Sequence, residues 1–244
     1  MLEEFKKYVD NFYTNDKEAD WGIKLKYDHS LRVKNIMEEM SKSFNQTKEE
    51  IEISKVIGLL HDYGRFYQWK NYHTFSDNIS VDHAAYGVEM LFENKEIKNF
   101  YKNENHYNLI KDAIYYHNKY AIKENASIFT KMIRDADKID ILCLAIDELK
   151  PNEAGEISKE VINDFNKEKQ VDYKNTKNDA DNVIKYLAFI YDLNYIYSFK
   201  YIKENHIIDN IYKTIKNKEK FKYYFDKINK YIDNKIKEND NNVR

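Results

Sequence analysis

Cysteine, proline and glycine are all scarce in this 244-residue chain, and each scarcity removes a class of fold. With one cysteine, Cys143, no intramolecular disulfide can form, so a reducing compartment is expected and the thiol reads as small core filler. One proline and five glycines are too few to punctuate a succession of short strands and tight turns. No apolar run approaches the roughly 20 residues that span a bilayer, and the N-terminus MLEEFKKYVD is charged, without the apolar stretch of a secretory signal. A cytoplasmic protein with no membrane partner is therefore expected. Neither sign of charge dominates: 40 basic against 42 acidic residues leave a net charge of -2, so no global field favours nucleic acid.

What remains is helical patterning. Apolar residues recur mostly at three- and four-residue spacing, which gives an all-α fold class. Thr47-Lys48-Glu49-Glu50 reads as a capping box opening a helix through Ile53, Ile57 and Leu60, ending just past Asp62 at Gly64. Ser80 followed by Asp82 marks the start of a helix covering Val88 and Leu91. Further helices are expected near residues 26–43, 106–119 and 127–149, the last stopped by Pro151. Tyr186, Ile190, Leu193 and Tyr197 form one later stripe, and Phe221, Tyr224 and Ile228 another. The expected organisation is a core domain over 1–150, a helical extension over 151–238 packed on the same bundle, and a flexible Asn-rich tail over 239–244.

Several polar side chains stand where the pattern asks for apolar ones. His29 precedes Val33 by one turn, and His61 follows Ile57 with Asp62 beside it. His83 precedes Gly87 and Leu91, His117 follows Ala113 and Ile114, and Asp137 lies four residues from both Ile133 and Ile141. A lone histidine on an apolar face is usually a satisfied core residue. Five helices each pointing a ligand type inward are harder to explain that way, because two buried carboxylates need compensating charge. A divalent cation would supply it and use the imidazole lone pairs. His106 lies about 16 Å along a common helix from His117 and reads as structural or surface, as do His73 and His206.

The pair His61-Asp62 within GLLHDYGRF, the upstream His29 in YDHSLRV and the downstream Asp137 in IRDADKIDIL resemble the H…HD…D pattern of the HD superfamily over roughly residues 20–150. The resemblance implies an HD-domain helical bundle with additional C-terminal helices. It also implies a metal held by His29, His61, Asp62 and Asp137, with Asp135 as a competitor for the last place. His83 and His117 match positions that bind a second metal in the dinuclear branches, bridged by the HD aspartate, here Asp62; substrate phosphate is the other role open to them. The cofactor expected is a divalent transition metal (Mn, Fe, Co, Ni or Zn), as one or two ions, with Mg as a further option at the second site.

The chemistry implied is phosphoester hydrolysis of a nucleotide or other small phosphorylated substrate by metal-activated water, with Asp62 orienting the nucleophile. Arg65 and Lys138 are candidates for neutralising substrate phosphate, against plain surface ion pairs. Arg32 reads as a structural ion-pair partner. The segment Phe66 to Asp77 is either a lid over the site or a packed loop. Two other classes stay open: a di-iron oxygenase, and a non-catalytic ligand-binding module. No Gly-Tyr-Pro element follows Asp137, so the cyclic-dinucleotide phosphodiesterase branch finds no support. The C-terminal helices could shape specificity or form a homodimer.

Overall fold

The structure is a computed structural model that describes residues 1–14, 16–147 and 152–242. Helices and turns account for it, with no strand among the described residues. Two compact units divide the chain, Met1–Ala136 and Asp137–Arg244. Pro151, expected to stop a helix, lies outside the described residues.

In the first unit, α1 (Leu2–Asp10) buries Phe5 and Val9. Helix α2 (Lys17–Ser43) opens where Asp16 accepts from the amides of Glu18 and Ala19, well before the expected residue 26. The Thr47–Glu50 capping box is present in both directions and starts α3 (Lys48–Leu60). The two helices pack with little between them at Gly58, where an added Cβ would stand 2.8 Å from Lys34 Cα. That close approach sets His29 of α2 opposite the end of α3.

The segment read as lid or loop is in large part a helix, α4 (Arg65–Tyr72), which buries Phe66 and Gln68. Trp69 lies flat on the backbone of α2 at Gly22, and its indole Nε1 donates to Ala19 O at 2.7 Å. Helix α5 (His83–Val88) is capped by Asp82, which accepts from the amides of Ala84 and Ala85. Ser80, expected as the cap, instead donates to Ser76 O and accepts from Gln68. A π-helical turn over Glu89–Glu93 then buries Leu91, followed by α6 (Tyr107–Tyr116) and α7 (Ile128–Asp147). The division between the units falls within α7, after Ala136.

The second unit continues from α7 through α8 (Lys159–Asn166), α9 (Asp179–Ala188), α10 (Ile196–Glu204), α11 (Ile207–Thr214) and α12 (Lys218–Asn242). Phe165, Ile184, Leu187, Ile211, Phe221 and Ile228 are among its buried residues, each contributing about 1.5 to 3 kcal/mol by leaving water. The stripe expected from Tyr186 to Tyr197 is broken: α9 ends at Ala188, a 3-10 turn covers Phe189–Asp192, and α10 begins at Ile196. The Asn-rich tail is helical as far as Asn242, as the last turns of α12.

Candidate metal centre

The His-Asp pair occupies a four-residue turn, 61–64, between α3 and α4. Three residues fix that turn. Tyr8 stacks on Tyr63 with centroids 3.7 Å apart and donates to its carbonyl, while the Tyr63 hydroxyl donates to Glu96 at 2.6 Å. On the other side Gly64 lies against the backbone of His83, so closely that no side chain fits between them. The turn is thereby held between α1 and α5, with Asp62 pointing into the interior at 2 % exposure.

Four imidazoles surround that carboxylate. Asp62 Oδ2 faces His29 Nε2 at 3.4 Å and His61 Nε2 at 3.5 Å. Its Oδ1 faces His83 Nε2 at 3.1 Å and His117 Nε2 at 3.6 Å. Each oxygen thus looks onto its own histidine pair, and within each pair the ring nitrogens meet, His29 with His61 at 3.1 Å and His83 with His117 at 3.0 Å. Donors of His61, Asp62 and His117 form one of the buried groups compact enough to hold an ion.

Proton placement shows what the cluster needs. His61 Nδ1 donates to Gly58 O at 2.9 Å, His117 Nδ1 to Ile114 O at 2.6 Å, and His83 Nδ1 to the Asp77 carboxylate at 2.8 Å. Carbonyl and carboxylate oxygens only accept, so in the neutral rings the other nitrogen, Nε2, is a bare lone pair. The Nε2 lone pairs of His83 and His117 then confront each other and Asp62 Oδ1, an arrangement of acceptors without a donor. A proton is a poor remedy, because burial pushes the His117 imidazole down to about 4, only partly offset by Asp62. A divalent cation is a good one: soft enough for imidazole, hard enough for carboxylate, and served by rings already oriented through their Nδ1 atoms. The residues present fit such an ion.

Charge around the cluster is balanced by two further cations. Lys26 Nζ, three residues before His29 on α2, donates to Asp62 Oδ2 at 2.6 Å. Burial opposes ionisation of Asp62, but Lys26 and His61 outweigh it and hold the carboxyl well below its usual range. Arg65 has its Nε 3.5 Å from Asp62 Oδ1, while its Nη1 donates to Phe75 O, Gln68 Oε1 and Asp77 Oδ1. Asp77 in turn accepts from His83, Gln68 and Asn118. Burial would raise the Asp77 carboxyl, yet the His83 hydrogen bond and Arg65 depress it.

Among the residues singled out from sequence, His29, His61, Asp62, His83 and His117 therefore converge, and Arg65 borders them. Asp137 is half-buried on α7 as the first residue of the second unit, two positions after the fully buried Asp135. Lys138 is buried and pairs at 2.8 Å with Asp192, which is half-buried. His106 takes a 2.7 Å hydrogen bond with the Tyr101 hydroxyl, and His73 and His206 are exposed residues in left-handed backbone conformation. Sequence reasoning missed Lys26, Asp77 and Arg134. Buried Arg134 donates to the carbonyls of Tyr116, His117 and Lys119, closing the end of α6 beneath His117. Only Lys26 left a trace in the pattern, its i, i+3 spacing to His29.

Residues 27–142 match the family model described as HD domain. This segment is an HD domain. The match runs from just before His29 to beyond Asp137, and the HD domain belongs to a superfamily of metal-dependent hydrolases. No curated protein and no solved structure matches the chain. No helix among the described residues is long and apolar enough to cross a membrane.

Proposed function

We propose that this HD domain is a phosphohydrolase that cleaves a phosphoester bond of a nucleotide or another small phosphorylated substrate. The observation that carries the reading is Asp62 with a separate imidazole pair before each oxygen, a donor set suited to a bridging carboxylate between two cations. His29, His61, Asp62 and Asp137 would hold the first ion, with Asp137 taken from the family motif; Asp62, His83 and His117 would hold the second. Bound there, a divalent transition metal supplies hydroxide near neutral pH and polarises a phosphoryl oxygen.

The chain's own groups do the rest. The Nδ1 bonds fix each imidazole plane, so the donors are set before a ligand arrives. Arg65 is pinned through Nη1, and its buried Nε–H has no hydrogen-bond partner, leaving a fixed donor beside Asp62 for a phosphoryl oxygen. Lys138, engaged by Asp192, is the weaker of the two phosphate contacts considered from sequence. The same paired imidazoles also suit a di-iron centre, for which consumption of oxygen rather than release of phosphate would be the signature.

The test is metal quantification on protein purified without chelator, together with phosphate release from a panel of nucleotides and small phosphate esters. Bound transition metal and phosphate release that disappear together in Asp62→Ala are expected. Unchanged metal content in Asp62→Ala would reject the ligand assignment, and absence of turnover with every metal and ester would reject the hydrolase reading.

A further inference from the structure

Two cations border Asp62, and they are held in opposite ways. Arg65 is immobilised: three acceptors fix its Nη1, and its guanidinium lies against the Phe75 ring at 5.8 Å. Lys26 has one acidic partner among the described residues, Asp62 itself, and its remaining contact is the face of the same Phe75 ring, 5.3 Å from Nζ. Its side chain retains 12 % exposure and that of Arg65 14 %, whereas Asp62 retains 3 %, so solvent reaches both cations more readily than the carboxylate between them. A lysine carries three rotatable donors on a flexible stem and can exchange partners where an arginine pinned by three acceptors at Nη1 cannot.

The charge arithmetic around Asp62 follows from this placement. In the structure a single carboxylate answers Lys26, while Arg65 is answered by Asp77. Once Asp62 and the other proposed ligands serve a divalent cation, their charge is answered by the ion, and the Lys26 ammonium is left facing like charge. An anion is what such a position lacks, and a buried ammonium without a partner is unfavourable.

We infer that Lys26 is a substrate-binding residue that passes from Asp62 to a non-bridging oxygen of the substrate phosphate. The inference rests on the phosphohydrolase reading and deepens it by assigning the mobile cation of the site. Asp62 holds Lys26 in place in the free protein, and the Phe75 ring faces its ammonium. Two consequences are distinct from hydrolysis. Removing the ammonium should strengthen binding of a divalent cation to the metal-free protein, because a competing charge is gone. It should also weaken binding of inorganic phosphate to the metal-loaded protein.

The experiment uses Lys26→Met, which keeps the apolar stem, and Lys26→Arg, which keeps the charge. Titration calorimetry with Mn²⁺ on the metal-free protein and with inorganic phosphate on the metal-loaded protein gives the two readouts. For Lys26→Met we expect Mn²⁺ affinity equal to or above wild type and phosphate affinity reduced about ten-fold or more, the scale of one charged hydrogen bond. Lys26→Arg should recover most of the phosphate affinity. Phosphate binding unchanged in Lys26→Met overturns the inference and leaves the hydrolase reading standing. Loss of Mn²⁺ binding in Lys26→Met also overturns it, since the lysine would then be a scaffold for Asp62. Wild-type protein that binds no metal overturns both.

Discussion

Gly64→Ala tests whether the His-Asp turn sets the geometry of the centre. The native φ at this position is -73°, open to any residue, so alanine adds a steric effect and no backbone strain. Its Cβ would stand 2.2 Å from the His83 carbonyl oxygen and 3.0 Å from both His83 C and Gly87 N. All three are backbone atoms, so no rotamer change relieves the clash; turn and helix must part by about 0.8 Å to bring the closest contact to 3.0 Å. That displacement widens the 3.1 Å gap between His83 Nε2 and Asp62 Oδ1. Overpacking of this kind costs about 1 to 3 kcal/mol, more than the fraction of a kcal/mol alanine gains over glycine in chain entropy. Urea unfolding monitored by circular dichroism should show a lower midpoint at unchanged slope, and calorimetric titration with Mn²⁺ should show weakened binding. Gly87→Ala is the internal control: its Cβ would meet Gly64 N at 3.1 Å and Tyr63 Cβ at 3.5 Å, so a smaller loss is expected. Should Gly64→Ala match wild type in both stability and metal affinity, the turn would not be the spacer the contacts imply.

Three further outcomes are expected. Arg134→Met removes the donor that serves three carbonyls at the end of α6, costing about 3 kcal/mol or more, and equilibrium unfolding that shows wild-type stability would contradict that account. Asp77→Asn takes away the carboxylate that orients His83, so metal affinity should fall by about 10- to 100-fold with the fold intact by circular dichroism; equal affinity would show that His83 needs no such support. Acid should destabilise the metal-free protein early. His117 falls from an ordinary 6.5 to about 4, so as pH drops from 6.5 to 4 the unfolded chain takes up a proton that the folded chain refuses, removing about 3 kcal/mol. Asp62, depressed below 3.8, continues the loss in the same direction at lower pH. Flat stability between pH 7 and 4 would mean that His117 is not held neutral by burial.

The centre was legible in the sequence where ligand chemistry interrupts an apolar rhythm. His29, His61, His83 and His117 announce themselves as a set, because imidazoles at core positions of successive helices are harder to explain as satisfied core residues than one alone. Lys26 carries no such mark, since a lysine on a helix is ordinarily a solvated side chain and only the fold turns this one toward Asp62. Asp77 opens a three-residue 3-10 turn, too short for periodicity to apply, and its role depends on how the chain folds Arg65 and His83 around it. Periodicity also failed where tertiary packing overrode it. The apolar spacing from Tyr186 to Tyr197 is helical, yet the chain breaks at Ala188, and Phe66 to Tyr72 winds into a helix because Phe66 and Gln68 are buried. Composition misjudged the polar tail, which remains in α12 as far as Asn242.

His61 and His117 share a local device with consequences beyond this chain. Each follows the last residue of its helix and ties its Nδ1 to the carbonyl three positions back, at Gly58 and Ile114. Ring direction is therefore written into a single helical turn and travels with it, so a short peptide ending this way would carry its coordinating nitrogen already aimed. His83 borrows its aim from Asp77, six residues upstream and outside its own helix, and could not be transplanted alone. For anyone building such a centre into a new scaffold, the first two histidines are portable parts and the third must be designed together with its surroundings.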